Sequence, residues 1–405
     1  MFSQLSVQVR QYLLVTGNYW VFTLTDGALR MLVVLYFHQL GYDALQIALL
    51  FILYELFGVI TNLLGGYLGA LLGLNRTMNL GLFLQILALS MLLVPEATLT
   101  MTWVMCAQAL SGIAKDLNKM SAKSAIKSLL PSEAQTTLFR WVALLTGSKN
   151  TLKGIGFFLG GSLLMAVGFQ GAIAIMLGAL VVVWLLSLWR LKKDLGRSKS
   201  RPKFKQLLSK SRAINQLSAA RMMLFGARDI WFVIALPVYL SQQAQWDHQQ
   251  IGGILAIWVI GYGLMQSLTP WLTARRHGRH PQGKDALLWV SVLTAIPALM
   301  AFTMNEANHP LPGLLLGLGI FGLVFAINSS IHSYLIVSYA ATDGTSLDVG
   351  FYYMANAAGR LLGTLLSGWV FLQGGLVACL YLSTAMLLMA TLISIGLPST
   401  KTQAY

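Results

Sequence analysis

Arg190–Arg212 reads RLKKDLGRSKSRPKFKQLLSKSR, ten Lys or Arg against a single Asp. On both sides of it the chain is overwhelmingly apolar. A basic tract binds nucleic acid when a soluble domain carries it, and none flanks this one, so the run reads as a solvated hinge between two hydrophobic halves. The 405 residues are 56% hydrophobic and 10% charged, whereas about a quarter of the residues of a soluble globule are charged. The composition therefore implies a polytopic membrane protein. The net charge of +15 is in part a topology signal in such a chain, and the positions of the basic residues decide its meaning. Cys106 and Cys379 lie in different halves without metal-site or redox spacing, which predicts packing roles for both.

Crossing about 30 Å of hydrocarbon takes about 20 residues of helix. Twelve runs qualify: 13–37, 44–68, 78–94, 101–125, 138–167 and 171–189 before the hinge, then 214–240, 249–272, 286–303, 313–339, 350–371 and 376–397 after it. The expected fold is an all-α membrane protein of twelve transmembrane helices in two six-helix repeats. Its expected domains are an N-terminal bundle over 1–189, a basic cytoplasmic linker over 190–212 and a C-terminal bundle over 213–405. The first run contains Asp26 and Arg30, unlike the smooth core of a cleaved signal peptide.

Orientation follows from the loops. Those at 38–43, 95–100, 168–170, 241–248, 304–312 and 373–375 contain no Lys or Arg, while the alternate connections hold Arg76, Lys127, the hinge, Arg275, Arg276, Arg279 and Lys284. That is the positive-inside distribution. It puts both termini in the cytoplasm; the expected location is the inner (plasma) membrane.

The halves echo each other. Tyr42-Asp43-Ala44-Leu45-Gln46-Ile47-Ala48 aligns with Trp246-Asp247-His248-Gln249-Gln250-Ile251-Gly252, and each copy places an Asp in a helix-starting position before a Gln three residues on. A parallel repeat of two six-helix units resembles the major facilitator superfamily, whose halves rock about a central site. That superfamily's signature, Gly-x-Leu-x-Asp-Arg-x-Gly-Arg, would fall on Gly66-Tyr67-Leu68-Gly69-Ala70-Leu71-Leu72-Gly73. The glycine frame is kept, but Ala70 and Leu71 stand where the acid and base belong, which puts the family's cytoplasmic charge latch in doubt. Gly156-Phe157-Phe158-Leu159-Gly160-Gly161 resembles the Gly-Pro-x-x-Gly-Gly antiporter motif without its proline, and reads either as close helix packing or as a coupling element.

Four charged stretches carry a closer likeness: LTDGALRMLV from Leu24, QALSGIAKDLNKMSAKSAIK from Gln108, TLFRWVALLTGSKNTLKGIGFFLGG from Thr137 and SAARMMLFGARDIWFV from Ser218. They resemble the ArsJ family of organoarsenical efflux permeases. The resemblance implies export of 1-arseno-3-phosphoglycerate and a functional pairing with an arsenate-using glyceraldehyde-3-phosphate dehydrogenase that makes this ester in the cytoplasm. It implies no cofactor and supplies no binding residues, so the site is read from physical chemistry.

An ionisable group in the hydrocarbon costs several kcal/mol unless it is paired or faces water. At about 1.5 Å per residue, Asp26 and Arg30 bracket the middle of the first helix, and their four-residue spacing allows a pair on one face. Arg228 and Asp229 reach similar depth in the seventh helix. Lys149 and Lys153 are four apart in the fifth, and Arg360 lies near the middle of the eleventh. Lys115, Lys119, Lys123 and Lys127 form a stripe on the fourth, with Lys123 and Lys127 expected to snorkel to the cytoplasmic surface and Lys115 to reach the cavity or to pair with Asp116.

The cations outnumber Asp26, Glu55, Asp116 and Asp229, so the cavity is expected to be net positive and suited to a multiply charged anion. Arg30 and Arg228 are the expected bidentate clamp, with Lys115, Lys149 and Lys153 as further substrate-binding donors. Asp26, Glu55, Asp116, Asp229 and Arg360 are the expected coupling or gating residues. Glu55 has no cation three or four residues away, and Arg360 is its expected partner in one conformational state. Asn328 and His332, four apart on the tenth helix, face either the cavity or a neighbouring helix. His277 and His280 have no acidic or Cys partner, and no metal site is expected.

Two other functions compete with efflux. An organophosphate importer or exchanger would share the cationic site and reverse the direction. A polytopic membrane enzyme would need a nucleophile, metal or acid/base cluster at a membrane face, and the sequence presents none. Beyond the bilayer and a small anion, the chain is expected to act as a monomer without nucleic acid.

Overall fold

The computed structural model describes residues 6–42, 44–131, 133–191, 195–198, 208, 210–246, 248–277, 280–306 and 310–398. Every regular element among them is helical. In chain order the helices are α1 (Val7–Gln39), α2 (Ala44–Leu50), α3 (Ile52–Leu72), α4 (Leu74–Leu92), α5 (Met101–Leu129), α6 (Gln135–Arg190), α7 (Arg212–Phe232), α8 (Ala235–Gln242), α9 (His248–His277), α10 (Gly283–Glu306), α11 (Pro310–Tyr339) and α12 (Thr345–Ser394).

These elements map onto the expected spans once their breaks are noted. The 56 residues of α6 would extend roughly 84 Å if straight, far beyond a bilayer, but Gly168 interrupts it at φ 69°. A left-handed residue is easy only for glycine, so the chain reverses there and supplies the fifth and sixth spans. In α12, Gly374 and Gly375 make the same break between the eleventh and twelfth. The second span is divided at Phe51 into α2 and α3, and the seventh at Val233 and Ile234 into α7 and α8. Among the described residues, eight helices are long and apolar enough to cross a membrane by length and composition. The two composite helices each count twice, and α4 with the lysine-rich α5 completes the twelve.

Capping follows local chemistry. Ser6, Thr100 and Ser211 accept from Val9, Trp103 and Ile214 backbone N–H groups at 3.3 Å each, satisfying donors that a helix start leaves open. Asp43 and Asp247, the expected caps of the repeated motif, lie outside the described residues, as does most of the basic hinge; α6 ends at its first residue and α7 begins at its last. Large apolar side chains such as Met165, Trp189, Leu365, Trp369 and Leu372 are exposed, as a lipid-facing surface requires. Cys379 is buried, but Cys106 is exposed, so the expected packing role fails for Cys106 because its side of α5 faces outward.

The chain forms two compact units. The first gathers α1 to α5, α6 apart from Val142–Gly147, and Ala340–Met354; the second gathers Val142–Gly147, α7 to α11, and α12 from Ala355. In the first, the antiporter-like glycines serve close packing. A Cβ on Gly156 would lie 2.6 Å from the Leu24 carbonyl oxygen, and one on Gly160 would strike that of Ala28, so α6 and α1 touch backbone to backbone. The turn between α3 and α4 is held without the signature charges. Ser198 N–H donates to the Ala70 carbonyl at 2.9 Å, Leu74 N–H to the Leu195 carbonyl at 2.8 Å, and Ser346 Oγ to the Gly66 carbonyl at 2.8 Å. In the second unit, an apolar core including Trp231, Phe321, Phe325, Leu380 and Leu387 joins α7, α11 and α12.

Candidate functional site

Each unit carries a layer of ionisable side chains within its helices. In the first unit the break at Phe51 puts Tyr54 and Glu55 in the opening turn of α3. The buried Tyr54 hydroxyl donates to both oxygens of Asp26, at 2.8 and 3.1 Å. Its ring carries cations: Lys115 Nζ lies 3.8 Å from the centroid and the Arg30 guanidinium 5.6 Å, an arrangement the ring quadrupole favours. Arg30 also lies 5.1 Å from the Phe51 ring.

The expected Asp26–Arg30 pair does not form among the described residues. Arg30 Nη1 instead reaches Glu55 Oε1 at 3.4 Å. The reason is reach: the i, i+4 spacing permits a pair along α1, but α3 offers each side chain a nearer partner. On α5, Asp116 is shared by Lys119, three residues on, and by Lys115 at 3.9 Å. Asp116 is almost completely buried, and both lysines are largely so.

Further along α5 the structure departs from the expected snorkelling. Lys123 is only 2% exposed, and its ammonium donates to the Tyr353 hydroxyl; Lys119 and Lys123 lie 4.9 and 4.7 Å from the Tyr353 ring centroid. Lys127 donates to the Ala340 carbonyl. The segment Ala340–Met354 supplies polar and aromatic partners that local sequence could not announce, so the Lys123 ammonium turns inward, while Lys127 stays part-exposed. On α6, Lys149 and Lys153 are part-buried. The Lys153 carbonyl lies 2.7 Å from where a Gly27 Cβ would stand, which sets Lys153 beside α1 one residue from Asp26. Its Nζ lies 5.9 Å from the Phe157 ring.

In the second unit Asp229 is fully buried and is shared by two arginines. Arg228 Nε donates to Oδ1 at 2.6 Å, and Arg360 Nε donates to Oδ2 at 3.0 Å. Adjacent helix residues do not normally face each other, and here the long Arg228 side chain folds back to reach its neighbour. Glu55 and Arg360, expected to find each other, thus each have a counter-ion inside their own unit. The premise that Glu55 needs a cation from α12 is removed, because Arg30 supplies one.

A residue missed in the sequence stands two helical turns from this layer. Arg221 is 3% exposed and donates through Nε to Asn356 Oδ1 at 2.9 Å and through Nη1 to Ser329 Oγ at 2.9 Å. The Tyr262 hydroxyl reaches the same Ser329 oxygen at 3.0 Å, and Gln266 Nε2 donates to Tyr262 at 2.9 Å. Arg221 and Arg228 are seven apart, two turns on one face of α7, and their guanidinium carbons lie 4.0 and 4.8 Å from the centroid of Phe225 between them. That spacing was available in the sequence as the signal. Tyr54 could not have been found so, because its role rests on contacts between helices.

Asn328 and His332 are fully buried on α11. None of their four polar side-chain atoms has a hydrogen-bond partner among the described residues, although both side chains are enclosed by their neighbours. The side chain of His277 lies outside the described residues, and His280 stacks obliquely at 6.4 Å from Tyr334.

A family model described as Major Facilitator Superfamily matches residues 15–282 and 217–404. Among curated proteins no relative matches. Among solved structures, the human organic anion transporter MFSD10 (TETRAN) superposes with a TM-score of 0.75 at 17% identity, covering 96% of this chain and 100% of that one. A bacterial homologue of the iron transporter ferroportin in its outward-facing state gives 0.73 at 14% identity, with 96% and 100% covered. FucP in the outward conformation gives 0.74 at 14% identity, with 97% and 100% covered. At such identities the likeness is one of fold.

Proposed function

Since this chain belongs to the major facilitator superfamily, and is a multi-pass membrane transporter rather than an enzyme, we propose that its cargo is a small organic oxyanion, 1-arseno-3-phosphoglycerate, moved outward to confer arsenate resistance. The observation that supports an anionic cargo is the ratio of charges. Asp116 is shared by Lys115 and Lys119, and Asp229 by Arg228 and Arg360. Two cations on one buried carboxylate leave positive charge in a low-dielectric region, which is costly unless water or an anion answers it. An exporter of lipophilic cations would carry the inverse balance.

On this reading Arg30 and Arg228 are the principal donors, because a guanidinium matches a tetrahedral oxyanion in bidentate fashion. Lys115, Lys149 and Lys153 are secondary donors. Asp26, Glu55, Asp116, Asp229 and Arg360 exchange partners as cargo and coupling ion pass, in an antiport cycle in the inner membrane with both termini cytoplasmic. The choice of the arsenical among oxyanions rests on the resemblance of the four charged stretches to the ArsJ family, and an arsenate-using glyceraldehyde-3-phosphate dehydrogenase would supply the ester.

Everted membrane vesicles test the proposal. With the ester generated outside them, its uptake in the presence of the protein, faster with an imposed pH gradient and lost in Arg228→Lys, is the expected result. Uptake of no organic oxyanion in either vesicle orientation refutes it. Uptake by right-side-out vesicles alone would replace efflux with import.

A further inference from the structure

Asn328 and His332 have no part in the arrangement above. Both are fully buried, and neither side chain makes a hydrogen bond to any described residue. Buried polar atoms are nearly always paired, and each exception calls for a reason. Their place supplies one. Ser329, next to Asn328 on α11, receives Arg221, and His332 follows Asn328 one turn on along the same helix. Depth agrees: Arg221 is about 14 Å from the start of α7, and Asn328 and His332 are about 17 and 11 Å from the end of α11.

The charged layer at Arg228 and Arg360 lies two helical turns farther along α7. Arg221 and Arg228 sit over the same Phe225 ring at 4.0 and 4.8 Å, which holds their guanidinium carbons within about 9 Å of each other. A three-carbon ester with an anionic group at each end spans roughly 7 Å, from bonds of about 1.5 Å.

We infer that Arg221, Asn328 and His332 form a second anion subsite, which takes the far charged group of a two-ended three-carbon ester while Arg228 holds the near one. Arg221 supplies charge; the Asn328 amide and the His332 ring supply N–H donors in a dry setting where a hydrogen bond to an anion is strong. The inference rests on the organic-anion reading and deepens it. It makes length and charge at both ends, not the phosphate group alone, the basis of selection.

The test is calorimetric titration of the full chain in detergent with 3-phosphoglycerate, which is charged at both ends, and with glycerol 3-phosphate, which is charged at one. Wild type is expected to prefer 3-phosphoglycerate at least about tenfold, the scale of one charge-assisted hydrogen-bond set. In Asn328→Leu with His332→Leu the preference is expected to shrink to within about twofold. That variant should melt no lower than wild type, because it removes polar atoms that the fold leaves without partners. His332→Gln, which keeps a donor, should retain most of the preference.

An intact preference in the double variant, a lower melting temperature there, or no measurable binding of either ester to it each overturns the subsite. Binding of both esters to wild type without preference also overturns the subsite while leaving the anion reading standing. Failure of wild type to bind either ester overturns both.

Discussion

Asp229→Asn is the most informative single change in the second unit. It removes a carboxylate that has no exposure and that Arg228 and Arg360 share at 2.6 and 3.0 Å. Stranding one partner of a buried ion pair costs about 3–5 kcal/mol. Most of that falls on Arg228, whose side chain is 14% exposed; Arg360, at 38%, can turn toward water, so its own pair is worth at most about 1 kcal/mol. Arg360→Gln leaves Arg228 on Asp229 and should therefore cost no more than about 1 kcal/mol. At about 2–4 °C per kcal/mol for a unit of this size, the two variants should differ in melting temperature by roughly 4 °C or more.

Thermal unfolding of the purified chain in detergent, followed by circular dichroism, reads this difference. Adding Arg228→Gln to Asp229→Asn should recover part of the loss, because the stranded charge is gone and neighbouring changes do not add. Equal destabilisation by Arg360→Gln and Asp229→Asn would refute the reasoning and make Arg360 a structural residue. A double variant no better than Asp229→Asn alone would refute the stranded-charge argument.

Tyr54→Phe takes the hydroxyl from both Asp26 oxygens and should cost about 1–3 kcal/mol in the same unfolding measurement, with an unchanged melting temperature counting against that bond. Gly156→Ala should lower stability by about 1–3 kcal/mol, since its Cβ would lie 2.6 Å from a backbone oxygen, while Gly161→Ala meets only a Leu35 methyl at 3.6 Å and should be tolerated; equal effects on yield and melting would refute the packing account of these glycines. Swapping Arg30→Glu with Glu55→Arg should change stability by less than about 1 kcal/mol, because the pair is about one-third exposed, yet abolish vesicle transport, since Arg30 serves the cargo. Transport by that swap would make the pair a simple lock. Glu55→Arg with Arg360→Glu is expected to restore nothing beyond its single variants, and recovery there would return Arg360 to Glu55 as a partner in the cycle.

The spans and their number were legible in sequence, because the hydrophobic requirement of a bilayer acts on every consecutive residue of a run and leaves a one-dimensional trace. Gly168 and Gly374–Gly375 were legible as boundaries for a similar reason, since reversing the chain there draws on local backbone freedom. The excess of cations within the spans was legible too, as charge is expensive in hydrocarbon wherever it falls. What sequence could not decide was which acid meets which base. Spacing of four residues made Asp26 and Arg30 look like a pair, but ionic energy depends on distance and dielectric in three dimensions, and α3 brought Tyr54 to one and Glu55 to the other. Lys123 looked like a surface charge until Tyr353 met it from a segment 230 residues away. Arg221 looked ordinary until α11 and α12 closed around it, and only that packing left Asn328 and His332 buried without partners. Periodicity and composition determine which residues enter the membrane, whereas the meeting of helices far apart in sequence determines what those residues touch there.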